Sequence, residues 1–295
     1  MNKQLLVVQS ISRPIWESAP NFPRNAHVLA IFKRSLDIAL NGDVIALVEP
    51  DLKNGPFHIV VSHIPEWNQP NDVEVSTEEN AWSFGTWILD ISLPPRIWEP
   101  RLNWEKMAWS QTSLSRLHAF SIEAALRRKG DTPFAQALGG NPPEPLNDLR
   151  QALRDCSAQR VRAAVSKIAG LGPGLTPSGD DFLAGLMLSA HAFGYPSRDL
   201  VHRLCTIIFE TAAPRTTKLS QAFLKAARDG MAHEHWHILL HSLVADDVQA
   251  VLSAASRVLA FGETSGLDML AGFLWMSETA FDSHLSSIEP DCLND

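Results

Sequence analysis

The chain has 295 residues, 45% of them hydrophobic and 20% charged, with a formal net charge of −8. This is the composition of a globular protein long enough for two domains. The acidic balance excludes non-specific nucleic-acid binding, which needs a basic surface, though not a local anion pocket. No apolar run reaches the length of a membrane span. The start, Met1-Asn2-Lys3-Gln4-Leu5-Leu6-Val7-Val8, lacks the apolar region and cleavage site of a secretory signal. Cys156, Cys205 and Cys292 are far apart and odd in number. That reads as neither a disulfide framework nor a cysteine zinc site, and it fits a reducing cytoplasm.

Seven of the nine tryptophans lie before residue 110, and this part reads as short strands between turns. Strands are predicted at Ala26–Lys33, Leu36–Leu40, Asp43–Glu49, Phe57–Ser62 and Thr86–Ile91. Asn41-Gly42 and Asn54-Gly55 read as hairpin turns, the second followed by Pro56. Strands without long helices between them predict an antiparallel, barrel-like domain over 1–110, its aromatic residues in the core. A helix is predicted at Thr112–Arg128, closed by Gly130. The segment from Gly139 to Pro145 reads as a linker. An all-helical domain over 111–295 follows, with helices at Leu146–Ile168, Asp181–Phe193, Arg198–Thr211, Leu219–Arg228, His235–Val244, Asp246–Leu259 and Asp268–Thr279. The fold class is therefore α+β, and Ser283 to Asp295 reads as a frayed tail.

The helical part is organised around G-L-G-P-G-L-T-P-S-G-D-D-F-L-A-G, Gly170 to Gly185. Gly172, Gly174 and Gly179 permit positive φ and close backbone approach, and Pro173 and Pro177 stiffen the loop. Ser178 reads as an N-cap with Asp181 three residues on, an aspartate variant of the capping box. Amides at the positive end of a helix form a ready anion site, with Thr176 and Ser178 hydroxyls assisting. The plainer reading is a rigid helix–helix connection. The loop is no Walker A motif, since no lysine follows. It is no dinucleotide fingerprint either, since a helix precedes it.

Eighty-seven positions on, Ser265-Gly266-Leu267-Asp268-Met269-Leu270-Ala271-Gly272 repeats the frame S-G-x-D-x-L-A-G, with Val161 over Val248 and Ala163 over Ala250 in the preceding helices. We read an internal helix–loop–helix duplication. Gly185 and Gly272 fall at matching places in two apolar helices. A helix-interior glycine costs about 1 kcal/mol against alanine, so a close crossing is expected there, with both helix starts on one side.

Asp181 and Asp268 match each other and read as caps, whereas Asp180 has Leu267 opposite and is the better candidate for chemistry. A carboxylate beside a phosphate calls for Mg²⁺ or a general-base role, and Asp180 would be the Mg²⁺ ligand. Its plainer role is compensation of the helix dipole. Arg215, Thr216 and Thr217, with Lys218, can bind a carboxylate or phosphate, and Glu263, Thr264, Ser265 and Gly266 can supply the second half of such a pocket. His233, His235, His237 and His241 have no zincin spacing and read as a solvated helix start. No G-x-S-x-G elbow is present.

The Gly170–Gly185 run, with Arg215-Thr216-Thr217, Ser220 and G-E-T-S-G-L-D-M-L-A-G from Gly262 to Gly272, resembles a bacterial family catalogued as a domain of unknown function. Its members include the AllH-like subunit of the oxamate carbamoyltransferase of anaerobic allantoin degradation, a branch of purine catabolism. The resemblance implies carbamoyl transfer between oxalurate and phosphate, giving oxamate and carbamoyl phosphate, in company with two other subunits. It carries no residue-level catalytic assignment, and the S-T-R-T signature of the familiar transcarbamoylases is absent. Three readings follow. One is an enzyme subunit binding a small anion at the paired helix starts, with the Gly172–Gly179 amides and Arg215 stabilising developing charge. The second is a non-catalytic scaffold or regulatory subunit. The third is a kinase-like protein with Asp180 and Asp181 as Mg²⁺ ligands.

Overall fold

A computed structural model describes residues 3–40, 42–93, 95–107, 109–127, 132–140, 142–195, 197–280 and 293. The chain divides into two compact units. One is Met1–Arg101 with Ala232–Glu234, and the other is Leu102–Met231 with His235–Asp295.

The first unit is a barrel. Its strands are β1 (Gln4–Ser12), β2 (Asn25–Ile31), β3 (Ser35–Leu40), β4 (Asp43–Val48), β5 (His58–Val61), β6 (Asp72–Thr77), β7 (Ala81–Phe84), β8 (Trp87–Asp90) and β9 (Arg96–Trp98). A short helix, α1 (Arg13–Ser18), follows β1. The order is β5-β4-β3-β2-β6-β7-β8-β1-β9, and a β5–β1 pairing closes eight strands into a ring. β1 makes the closure possible. Its first half pairs with β8 through Gln4–Val7, its second half with β5 through Val8–Ile11, and its end with β9, with a register shift between Val8 and Ser10. Leu6, Ile11, Leu36, Ile38, Leu47, Ile59, Phe84, Trp87 and Leu89 are buried almost completely.

The barrel is mixed rather than antiparallel, because β1–β8, β1–β9 and β4–β5 are parallel. Asn54-Gly55 does not make the expected hairpin. The chain from Glu49 to Phe57 contains a 3-10 turn at Pro50–Leu52, and β5 then runs the same way as β4. β1, β6, β7 and β9 were not predicted; in β6 the inward positions are only Val73 and Val75 between polar residues.

The second unit is helical: α2 (Gln111–Arg127), α3 (Glu144–Arg154), α4 (Ala158–Ile168), α5 (Ser178–Phe193), α6 (Arg198–Ala212), α7 (Lys218–Arg228), α8 (Glu234–Val244), α9 (Val248–Leu259) and α10 (Ser265–Ala280). The single helix predicted over Leu146–Ile168 is two. Cys156 takes φ 51°, and the Ser157 side chain caps α4 by accepting from Arg160 N–H. Cys156 is also disulfide-bonded, contrary to the expectation of none; Cys205 is free and buried. Gly139–Pro145 lies inside this unit and leads into α3. The predicted tail falls almost wholly outside the described residues.

The duplication is longer than the sequence frame showed. Cys156 (φ 51°) corresponds to Asp246 (φ 54°), and the Ser157 cap corresponds to Asp247, which accepts from Ala250 N–H. The turn hydrogen bonds repeat as well: Ser157 N–H to Ala152 and Cys156 N–H to Leu153 match Asp247 N–H to Ser242 and Asp246 N–H to Leu243. Buried Val161, Ala164, Val165 and Ile168 match Val251, Ala254, Ala255 and Val258. The first two helices of each half therefore align 90 residues apart, not 87. The second loop is three residues shorter, and the frame returns to 87 at Ser178 and Ser265.

α5 and α10 cross where the glycines predicted. A Cβ on Gly185 would lie 1.9 Å from the Met269 carbonyl oxygen, and one on Gly272 would lie 1.9 Å from that of Phe182. Phe182 and Met269 are themselves 87 apart, so the contact is reciprocal. Each helix presents bare backbone to the other.

Candidate functional site

The helix starts are adjacent, as the crossing requires. Thr176 Oγ1 and Ser265 Oγ are 3.0 Å apart and hydrogen-bonded. Both helices open alike: Asp180 and Asp181 N–H donate to the Pro177 carbonyl, and Leu267 and Asp268 N–H donate to that of Thr264. Gly179 and Gly266 complete the match. Their Cα atoms lie against the Ile168 and Val258 carbonyls, where a Cβ would come within 2.0 and 1.9 Å.

The capping expectation is corrected. Pro177, not Ser178, is the N-cap of α5, and it has no side chain able to cap. Ser178 is the first helical residue and is buried. Gly172 (φ +114°) folds over it, and a Cβ there would lie 2.8 Å from Ser178 N. Gly174 (φ +95°) faces open space, and Leu171 and Leu175 are exposed beside it. Gly179 N–H is occupied by the Leu171 carbonyl. Among the described residues, none accepts from the amides of Gly172, Gly174, Leu175, Thr176 or Ser178. The first four of these donors, on an exposed loop at a helix N-terminus, can hold an anionic oxygen, while the Ser178 amide is buried beneath Gly172.

Asp180 is only 1% exposed, and its carboxylate is a clasp. Oδ1 accepts from Gly170 N–H at 2.8 Å, and Oδ2 accepts from the hydroxyls of Thr216 and of Ser220, the latter at 2.8 Å. Thr217 caps α7 by accepting from Ser220 N–H, and its hydroxyl donates to the Leu175 carbonyl. Gly170 (φ +74°) packs on the Arg215 carbonyl, which a Cβ would approach to 2.4 Å. The sequence was right to group Thr216, Thr217 and Ser220 with the glycine loop, but they serve to fasten it. Arg215 contributes its backbone to this junction. Its exposed guanidinium donates to the Thr211 carbonyl at 2.7 Å, at the end of α6.

Asp181 and Asp268 are not caps. The Asp181 carboxyl receives hydrogen bonds from Ser265 and Thr176, across to the other half of the duplication. Burial raises its pKa well above the ordinary carboxylate range, and the charges of Asp268 and Asp180 add to the rise, against the lowering effect of those hydrogen bonds. Asp268, fully buried, accepts from the hydroxyl of Thr132. Thr132 was missed because no motif marks it; it belongs to a segment outside the repeat. Thr264 contributes the cap carbonyl of α10, and Glu263 is exposed.

Mg²⁺ at Asp180 does not fit these donors, because both oxygens already accept from protein groups. Among the described residues no three His, Cys, Asp or Glu side chains are gathered as a metal site. His233 is buried, not solvated, and bonds the Leu52 carbonyl at 2.9 Å. Among the described residues no helix is long and apolar enough to cross a membrane.

Residues 168–277 match the family model described as oxamate carbamoyltransferase subunit AllH. The match opens at the last residue of α4 and closes within α10, so the similarity takes in the glycine loop, the Asp180 clasp and the helix crossing. No solved structure matches the chain.

Proposed function

We propose that this AllH-like chain is a subunit of a carbamoyltransferase acting on oxamate or oxalurate and carbamoyl phosphate, in company with other subunits. The glycine loop at the head of α5 holds an anionic group of the substrate. The match over residues 168–277 carries this reading, and the loop amides without internal acceptors support it. Carbamoyl phosphate, oxalurate and oxamate are all anions, and fixed N–H donors at a helix N-terminus stabilise charge without reorganising. The cytoplasmic setting belongs to the same reading, and the disulfide at Cys156 removes the support that cysteine spacing gave it.

A second reading has an observation in its favour. Asp180, Thr216, Thr217 and Ser220 are occupied by one another and by loop backbone, as in a subunit that positions its partners and leaves the chemistry to them. The kinase-like reading loses its support with the fit of Mg²⁺ at Asp180.

The test is thermal unfolding with phosphate, carbamoyl phosphate, oxamate and oxalurate, on wild type, Gly174→Glu and Gly174→Gln. Open space around Gly174 admits either side chain at the same backbone strain, so the pair isolates charge. A ligand at 100 times its Kd adds about 2.7 kcal/mol. Stabilisation by carbamoyl phosphate that survives in Gly174→Gln and vanishes in Gly174→Glu places the anion at the loop. No stabilisation by any anion, combined with activity in an assembled complex carrying Gly174→Glu, would leave only the scaffold reading.

A further inference from the structure

The paired aspartates at the start of α5 differ in one respect that the sequence did not reveal. Asp180 has every oxygen engaged. Asp181, 4% exposed, has not: its Oδ2 is buried and takes no hydrogen bond among the described residues. The polar groups that act on Asp181 all do so through oxygen. Thr176 and Ser265 hydroxyls bond its carboxyl and each other, and the carboxylates of Asp268 and Asp180 lie within electrostatic reach. Among the described residues no cationic side chain acts on it. A buried carboxylate needs hydrogen bonds or a counter-charge, and leaving it without one costs several kcal/mol.

Carboxylate and hydroxyl oxygens are the donor set of a hard divalent cation. The hydroxyl–hydroxyl spacing of 3.0 Å between Thr176 and Ser265 is short enough for both oxygens to face one such ion. A hydroxyl at a helix start combined with a nearby aspartate also holds Mg²⁺ in phosphate-binding proteins, so the positive helix ends are no bar. We propose that Asp181 Oδ2, with the hydroxyls of Thr176 and Ser265 and with Asp268 as the second charge, forms a buried site for a small divalent cation of the Mg²⁺ or Mn²⁺ type, tying the two halves of the duplication together beneath the glycine loop. The inference rests on the buried geometry and is independent of the carbamoyl-transfer reading. It is tested without carbamoyl phosphate, so either can fail alone.

The test uses the full chain, stripped with chelator and titrated with Mn²⁺, with free Mn²⁺ read by its paramagnetic resonance signal and melting followed in parallel. The expected result is one Mn²⁺ per chain, a higher melting temperature with Mn²⁺, and loss of both in Asp181→Asn. Loss of a ligand should weaken binding at least as much as loss of an outer-shell partner, about 10- to 100-fold. Asn has the shape of a protonated Asp, so the variant also tests the rival occupant, a proton. If wild type binds no Mn²⁺ at millimolar concentration, or Asp181→Asn binds it as wild type does, the proposal is overturned. Should Asp181→Asn fail to fold, Ser265→Ala decides: unchanged Mn²⁺ affinity overturns the site, and weakening of at least about tenfold supports it.

Discussion

Gly185→Ala is the substitution on which the architecture can be judged. In an ordinary helix interior it would stabilise by about 1 kcal/mol. Here the new Cβ would lie 1.9 Å from the Met269 carbonyl oxygen and 2.9 Å from Met269 Cα. Non-bonded carbon atoms need roughly 3.5 Å, and the obstruction is backbone, which cannot rotate away. α5 and α10 must separate by about 1.5 Å, and a gap of 0.5–1 Å already forfeits about a quarter to a half of each dispersion contact it opens. Overpacking a core costs about 1–3 kcal/mol, and a backbone obstacle places this case at or above the upper end. We expect Gly185→Ala to destabilise the helical unit by about 2–4 kcal/mol, a reversal of the propensity sign.

Gly272→Ala faces the same distance from the Phe182 carbonyl and should cost a similar amount. The two are one contact seen from both sides. The displacement that relieves one relieves the other, so the double variant should cost clearly less than the two singles together. The assay is urea unfolding followed by far-UV ellipticity, which the helical unit dominates. Either single variant matching or exceeding wild-type stability, or a strictly additive double, would refute the reciprocal crossing.

Three further outcomes are expected. Asp180→Ala strands the Gly170 amide and the hydroxyls of Thr216 and Ser220, at a cost of about 3 kcal/mol; hydrogen exchange at Gly170 should accelerate, and unchanged protection would dismiss the clasp. In the barrel, burial lowers the pKa of His58 from 6.5 to about 4, against its bond to the Lys53 carbonyl, so the unfolded chain takes up the proton first and stability falls as pH drops through that window. By linkage the loss is up to about 3 kcal/mol, and His58→Gln should remove it from the pH profile. Asp37 has the opposite sign: burial raises its pKa from 3.8 to about 6, the folded state takes up the proton first, and stability rises as pH drops from 6 to 3.8. Asp37→Asn should therefore stabilise at pH 7.5, by up to about 3 kcal/mol. Over pH 4–6 the two groups oppose each other. Stability differences measured against wild type should slope oppositely for the two variants, and parallel slopes would remove the argument.

The helical half was legible because its signals are local. Glycine at Gly185 and Gly272, bare of any propensity reason, announced a close crossing, and the residues of α5 and α10 were read nearly to their ends. The break at Asp155-Cys156-Ser157 was missed although Ser157 is an ordinary N-cap, because apolar residues continue at helical spacing on both sides. The barrel was less legible. β1 pairs with three strands at once, and nothing in Gln4–Ser12 announces partners fifty and eighty residues away. At the site, residue types identified the right neighbourhood and the wrong assignments. Ser178-x-x-Asp181 has the letters of a capping box, but Pro177 takes the cap position, and a carboxylate that reaches across to Ser265 cannot reach back. Choosing between Asp180 and Asp181 required knowing which one had spent its oxygens.

The duplication separates what the fold needs from what it does not. The features present twice that build the crossing are Gly179 and Gly266 on the preceding helix, Gly185 and Gly272 on the opposite backbone, and the paired cap carbonyls of Pro177 and Thr264. Removing either copy would open the core, so their presence requires no ligand. Other features are present once. They are the three additional residues of the first loop, with Gly174 facing open space, and Asp180, whose counterpart Leu267 is simply buried. The second half crosses α5 with a shorter loop and no clasp, which shows that neither is needed to join two such helices. A longer loop with acceptor-free amides, held in shape by a buried carboxylate and two hydroxyls, is an addition to a connection that works without it, and binding is the use that its donors fit.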